Sequence, residues 1–200
     1  MRIPIPVIAA LALLPAASSC QTKTEISQTG QPRFEADIPG GVPLRLHIRS
    51  GEIHIQPGDD NKISVQLSGN NVGKIQDVKM RLTRSDSANE LRISGGPKND
   101  LEITVSVPKN SDLFVRIPAG EVHIEGITGN KDVELHAGEL IIAVGNPADY
   151  DRVDASVTAG EVDGDPFGQS KGGLFRSFRQ QGGGKYRLHA HVGAGQLTLQ

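Results

Sequence analysis

The chain has 200 residues, of which 36% are hydrophobic and 4% aromatic, and it contains no tryptophan. This length suits one well-buried domain, and the composition indicates a core of aliphatic side chains. With 21 basic and 23 acidic residues, the chain has no bulk attraction for nucleic acid, and nucleic acid is not an expected partner.

The N-terminus has the pattern of a targeting segment. Met1 and Arg2 supply a short positive region, residues 3–14 are apolar, and small residues follow. The apolar stretch is too short to cross a bilayer as a mature helix. The pattern therefore predicts a signal peptide over residues 1–19.

The single cysteine of the sequence, Cys20, lies at the end of this segment. The junction resembles the lipobox of bacterial lipoproteins, although Ala17 stands where that motif usually has leucine. The resemblance implies that Cys20 is lipidated and anchors the protein to a membrane, and Gln21 is similar to the signal that directs lipoproteins to an outer membrane. We therefore expect a lipid-anchored protein of the cell envelope in the outer membrane, with a secreted or periplasmic protein as the alternative.

The polar residues after Cys20 have little apolar surface to bury, so residues 20–33 are expected to form a flexible tether and residues 34–200 the folded domain. Further along, residues 62–67 alternate apolar and polar side chains, and residues 78–82 and 91–93 form a hairpin pattern across a polar turn. Residues 101–107 predict another strand. Residues 74–78 are the one segment after the leader for which a turn of helix is an alternative to a strand.

A short phrase with a central glycine recurs at five places, namely Gly51, Gly120, Gly138, Gly160 and Gly195. Before each glycine the apolar residues fall on odd offsets, and after it they fall on even offsets. Period-two alternation on both sides indicates strands with one buried face. The shift in phase predicts a corner at the glycine that returns both halves to the core.

Self-similar phrases of this kind are typical of stacked repeats. We therefore predict an all-β fold, a single-stranded β-solenoid or β-roll of short strands joined at glycine corners. A β-sandwich is the alternative, since it also uses alternating strands of this length.

The segment 107–116, followed by the phrases at Gly120 and Gly138, resembles the bacterial adhesin-like β-solenoid domain family. The resemblance covers roughly residues 34–200. It implies a β-solenoid, a cell-envelope setting and no catalytic residues.

Several outward side chains of the repeats are of types that bind metal ions. Stacking in register would place Glu121, Glu139 and Glu161 in one column, and His54 and His123 at the same offset after their glycines. The Asp-rich repeat of calcium-binding rolls is absent, and no cysteine or compact histidine motif accompanies the imidazoles. The prediction is a solvated strand face with no metal and no cofactor.

The segment 169–185 departs from the repeat and interleaves aromatic and basic side chains between glycines. Phe175, Arg176, Phe178 and Arg179 are the candidate partner-binding residues, because such side chains stack on sugar rings or contact a lipid surface. In the alternative, the segment is a glycine-hinged loop whose phenylalanines cover an open end of the stack.

No nucleotide loop, nucleophile elbow or metalloprotease motif occurs, so no enzymatic activity is expected. The sequence predicts a non-catalytic envelope lipoprotein that binds surface polysaccharide, peptidoglycan or an envelope protein. The alternatives are a structural or regulatory scaffold that docks a membrane protein or self-associates, and, less favoured, a polysaccharide-active β-helix enzyme.

Overall fold

The computed structural model describes residues 23–97 and 99–200. The predicted signal peptide and Cys20 lie outside the described residues. No helix within the described ranges has the length and apolar character needed to cross a membrane.

Thirteen strands make up most of this part of the chain, joined by turns that include three short 3-10 segments. The strands are β1 (Thr24–Thr29), β2 (Arg33–Asp37), β3 (Leu44–Ile48), β4 (Gly51–Gly58), β5 (Lys62–Ser68), β6 (Lys79–Arg84), β7 (Asn89–Ser94), β8 (Glu102–Pro108), β9 (Leu113–Ile124), β10 (Lys131–Ile142), β11 (Tyr150–Gly164), β12 (Gln169–Gln181) and β13 (Tyr186–Leu199). The prediction of an all-β fold is confirmed. Residues 72–74 form one 3-10 turn, at the border of the segment where a helical turn was left open.

The strands form one open, mixed sheet that divides at β9. The main path runs β1-β6-β7-β3-β9-β10-β13-β11-β12, and a branch runs from β9 through β4 and β8 to β5 and β2. The first half of β9 pairs with β3 and its second half with β4, both in parallel. Strands β3 and β4 thus act together as one long strand interrupted at Arg49 and Ser50.

The predicted corner glycines form a continuous column across the parallel strands. In space the order is Gly51, Gly120, Gly138, Gly195 and Gly160, and Gly173 of β12 extends it. All six have positive φ. A Cβ built at Gly138 would overlap the backbone carbonyl oxygen of Gly120, and Gly120, Gly195 and Gly160 show the same overlap with their own neighbours. Glycine is required here by both conformation and space.

The phase shift predicted at these corners is present in the burial pattern. In β9, Val115 and Ile117 are buried before the corner, and Val122 and Ile124 are buried after it. Both halves contribute to the same hydrophobic cluster. A regular strand would have exposed one of these two sets.

Antiparallel strands flank the parallel part at both ends. On one side, β1 pairs antiparallel with β6 and β6 with β7, and in the branch β2 pairs antiparallel with β5 and β5 with β8. On the other side, β12 pairs antiparallel with β11. The mixed, open sheet is compatible with the sandwich alternative. The order also differs from the sequence, because β13 lies between β10 and β11.

The predicted tether differs from the structure. Residues 24–29, expected to be flexible, form β1 and pair with β6 from Thr24↔Arg84 to Thr29↔Lys79. Ile26 packs partly buried against the core, and Arg81 approaches Glu25 at 3.3 Å. Backbone pairing to an exposed strand edge orders this polar segment with little apolar burial, so the sheet begins before residue 34.

Candidate interaction surface

The segment with interleaved phenylalanine and arginine is a strand over most of its length, and the glycine-hinged loop of the alternative is wrong. Residues 169–181 form β12, which pairs with β11 and with no other strand that the structure describes. Phe178 lies opposite Ala155, and Arg176 lies opposite Val157. Because β12 runs antiparallel to β11, the chain passes its corner glycine, Gly173, in the direction opposite to that of the parallel strands. The repeat phrase is therefore not found in the sequence of β12.

Phe178 belongs to the core, whereas the capping alternative expected this of both Phe175 and Phe178. Its side chain is only 5% exposed. Its ring centroid lies 6.2 Å from that of Phe167, which is also buried. A Cβ at Gly164 would meet the Phe178 ring within 2.6 Å, so this glycine leaves room for the ring. Phe178 therefore closes the core at the β12 end and is not free to bind a partner.

Arg179 is held by an ion pair across the strands. Its Nε donates to Asp154 Oδ1, and Arg152 Nε donates to Asp154 Oδ2 at 2.5 Å. Partial burial raises the pKa of Asp154, but hydrogen bonds from the two arginines outweigh it and leave the pKa below its ordinary value. The carboxylate is thus charged and shared, and Arg179 retains a largely exposed side chain.

Phe175 and its neighbour Leu174 form the exposed part of β12. They are 80% and 66% exposed, far more than any other large hydrophobic side chain among the described residues. Phe175 has a φ of 52°, an uncommon conformation for a residue with a side chain. The Arg176 Nε beside it donates to the Gly172 carbonyl oxygen at 2.8 Å. We refer to Leu174, Phe175 and Arg176 as the β12 patch.

An open polar groove borders the same strand. It has a volume of about 510 Å³, and its lining includes Arg152, Asp154, Ser177, Arg179 and His189. A neighbouring groove of about 670 Å³ shares Arg152, Asp154 and His189 and extends to further charged side chains. Arg179 lies about 13 Å along β12 from Phe175, at about 3.3 Å per residue. The four predicted partner-binding residues thus divide between the β12 patch, the groove and the core.

A serine–histidine pair lies elsewhere on the outward strand faces. Ser156 Oγ is 2.9 Å from His191 Nδ1, on the paired strands β11 and β13. Both strands are paired on both sides, so their backbone N–H groups take part in the ladder. An acyl-transfer site needs such donors aimed at a developing oxyanion. This pair therefore has the contacts of a strand surface.

The predicted glutamate column is longer than expected and is interrupted. Its spatial order is Glu102, Glu52, Glu121, Glu139, Gln196 and Glu161. Glu121 and Glu139 are adjacent as predicted, but Gln196 of β13 separates Glu139 from Glu161. His54 and His123 are also adjacent, and their rings stack with centroids 5.0 Å apart.

A buried lysine was missed by sequence reasoning. Lys131 lies between Leu113 and Leu188 in a column of core residues, and its Nζ donates to the Tyr150 hydroxyl oxygen at 2.9 Å. Burial lowers the pKa of Lys131 to about 8, against a smaller opposing effect of Asp112. Burial raises the pKa of Tyr150 to about 12, assisted by Asp149 and Tyr186. Aligning the repeats from their glycines reveals this lysine at an apolar position.

Comparison with protein-family models finds no match, and comparison with curated proteins finds no similar sequence. Among solved structures, the chain is similar to the crystal structure of a "putative cell adhesion protein" from Clostridium sporogenes ATCC 15579. The two share 14% sequence identity with a TM-score of 0.50, over 89% of this chain and 99% of that one. The likeness supports a shared β-rich fold and agrees, at the level of fold only, with the adhesin-like resemblance.

Proposed function

We propose that this protein is a non-catalytic, lipid-anchored protein of the cell envelope that binds a surface polysaccharide. The observation that carries the proposal is the β12 patch, in which an exposed phenylalanine and leucine adjoin an arginine at the end of a rigid sheet. Exposed apolar side chains that adjoin polar groups mark interaction sites more often than isolated ones do. The in-register parallel strands are interpreted here as solenoid-like coils that supply the platform.

The groove beside β12 supports a polymeric ligand. Sugar rings present an apolar face and a rim of hydroxyl groups. Phe175 offers a ring for the apolar face, and Arg152, Asp154 and Arg179 offer donors and acceptors for hydroxyls. The distance of about 13 Å between Phe175 and Arg179 suits several linked sugar units better than one. Peptidoglycan belongs to the same chemical class as other surface glycans.

The expected anchor and address rest on the sequence and on this proposal. Lipidation of Cys20 would tether the sheet to a membrane, with the outer membrane as the expected site. The anchor is tested by metabolic labelling with a fatty-acid analogue, in which the wild-type chain is labelled and the Cys20→Ala chain is not. Equal labelling of both chains would contradict lipidation at Cys20.

The binding proposal is tested by co-sedimentation with purified envelope polysaccharide and peptidoglycan. The double variant Phe175→Ala/Arg176→Ala is expected to lose at least tenfold in affinity, because both side chains are exposed. Val72→Ala is the matched control, since Val72 is an exposed hydrophobic residue outside β12. Phe178 is left intact because its removal would disturb the core. Unchanged sedimentation of the double variant, with the fold intact by circular dichroism, would refute the site.

Self-association is a second candidate with its own observation. Among the described strands, β12 pairs on one side only, so its outer edge offers backbone donors and acceptors beside Leu174 and Phe175. Pairing of two such edges would give a symmetric dimer. Sedimentation equilibrium at increasing concentration would show a rising mass for the wild type and a monomer for Leu174→Ser/Phe175→Ser. A monomer at all concentrations for both chains would exclude this candidate.

A further inference from the structure

Carboxylate and imidazole side chains meet on the outward side of β8, β4 and β9, far from the β12 patch. Glu102 lies beside Glu52, Glu52 beside Glu121, and His54 beside His123 in the strand register. The side chains of Glu52, His54 and Glu102 each offer one ligand atom, and these atoms lie within 4.8 Å of one another. Strand pairing therefore brings hard oxygen and imidazole nitrogen donors together on a stiff surface.

The distances within this cluster are close to those of a coordination shell. His54 Nε2 lies 3.2 Å from Glu52 Oε1 and 4.0 Å from Glu102 Oε1. In a tetrahedral zinc site with bonds of about 2.0 Å, neighbouring ligand atoms are about 3.3 Å apart. The first distance already has that spacing. The second would have to shorten by about 0.7 Å through rotation of the half-buried Glu102 side chain, whose Oε2 accepts a hydrogen bond from Ser68 Oγ at 3.1 Å.

A second histidine, His123, lies beside His54 on the adjacent strand β9. The His123 ring stacks on that of His54, and its Nε2 lies 2.8 Å from Glu121 Oε1. Both imidazoles are thus near a carboxylate two residues earlier on their own strands. In a metal-bound state, these contacts of Nε2 with a carboxylate would be replaced by bonds from Nε2 to the ion.

Among the described residues, no lysine or arginine nitrogen forms an ion pair within 4 Å of Glu52, Glu102 or Glu121. A comparable group at Asp132, Glu134 and His189 differs in this respect. The Arg116 guanidinium forms ion pairs with both acids of that group, at 3.0 Å from Asp132 and 3.1 Å from Glu134. The negative charge around His54 therefore lacks the basic partner that the second group has.

We propose that Glu52, His54 and Glu102 bind a divalent transition-metal ion, represented by Zn²⁺, with His123 as the fourth ligand. Two imidazoles and two carboxylates are donors that Zn²⁺ accepts in four-coordinate sites. Ca²⁺ takes oxygen ligands in larger number, which the imidazoles do not supply. The ion would neutralise adjacent carboxylates and crosslink three strands.

The experiment is isothermal titration of the full chain with zinc chloride, without a polyhistidine tag. The reference chain and every variant carry Cys20→Ser, so that no thiol competes for the ion. This reference chain, called the wild type in this experiment, is expected to bind one Zn²⁺ per chain. The double variant His54→Gln/His123→Gln and the single variant Glu102→Gln are each expected to bind at least tenfold more weakly.

Asp132→Asn/His189→Gln is the matched control, because it removes one acid and one imidazole from the group whose acids form ion pairs with Arg116. This control is expected to bind within twofold of the wild type. Far-UV circular dichroism of each variant confirms that the fold is retained. Absence of saturable binding by the wild type, or equal loss in the control and the His54→Gln/His123→Gln chain, would overturn the proposal.

Discussion

Substitution of a single corner glycine should destabilise the whole sheet, and Gly138→Ala is the sharpest case. Gly138 has a φ of +127° and is paired with a glycine on both sides. Holding a residue with a side chain in such a conformation costs about 1–3 kcal/mol. The new Cβ would also overlap the Gly120 carbonyl oxygen, and overpacking of this kind costs about 1–3 kcal/mol more. The expected loss in free energy of unfolding is therefore about 2–6 kcal/mol.

The measurement is urea unfolding followed by circular dichroism, with Gly145→Ala as the control. Gly145 also has positive φ, at +72°, but nothing lies within 4 Å of an added Cβ. The control should therefore lose only the conformational part, about 1–2 kcal/mol for a left-handed residue. If Gly138→Ala lost no more stability than Gly145→Ala, close approach of the strands at the corner would not be the reason for glycine, and the column would need another explanation.

The remaining predictions concern the core cap, the buried lysine and a surface ion pair. Phe178→Ala should lower the free energy of unfolding by about 3 kcal/mol, whereas Phe175→Ala should change it by less than about 0.5 kcal/mol; equal effects in urea unfolding would contradict the assigned burial. Because folding lowers the pKa of Lys131 from 10.5 to about 8, the unfolded chain binds more protons between these values, and stability should rise with pH by up to about 3 kcal/mol. Above pH 10 the raised pKa of Tyr150 lowers stability as the pH increases, because the unfolded chain then loses its tyrosine proton first. Urea midpoints should therefore rise from pH 8 to 10 in the wild type, and they should change less in Lys131→Met. Arg116→Ala should cost at most about 1 kcal/mol, and 1 M salt should reduce that cost; a salt-independent loss in thermal unfolding would show that packing, not charge, dominates.

The glycine corners were predictable because two independent signals coincide in the sequence. The repeated phrase locates each glycine, and the change of apolar phase around it requires a break in the strand. Strand order was not predictable, because β10, β11 and β13 carry similar phrases. Any two of them could pair with their corner glycines side by side. β13 lies between the other two, and β12, which pairs antiparallel with β11, shares only the corner glycine Gly173 with the phrase.

The candidate interaction surface was predicted only in part for a related reason. Phe178 and Phe175 are equivalent in composition, yet three residues of strand place them in opposite environments. The bulge-like φ of Phe175 cannot be read from residue type, since phenylalanine rarely adopts it. Lys131 was missed because a lysine in an alternating segment is ordinarily outward, and only alignment to Leu113 and Leu188 reveals its inward position.

Strand order also determines how negative charge is distributed across the sheet. Two carboxylates one strand apart, at about 4.8 Å, repel by about 0.9 kcal/mol in water, and two strands apart by about half as much. Gln196 on β13 gives Glu139 and Glu161 the larger separation, whereas Glu102, Glu52 and Glu121 remain on successive strands. Unrelieved repulsion is therefore greatest where His54 and His123 stand, which is where a cation would lower the energy most.

The two proposed sites lie five strand spacings apart, from β4 to β12, or about 24 Å. Substitutions separated by this distance without shared partners are expected to act additively. Loss of zinc binding in His54→Gln/His123→Gln should accordingly leave polysaccharide binding unchanged, and Phe175→Ala/Arg176→Ala should leave zinc binding unchanged. If each variant lost both activities, the cause would be a disturbance of the shared sheet, because no contact among the described residues connects the two sites directly.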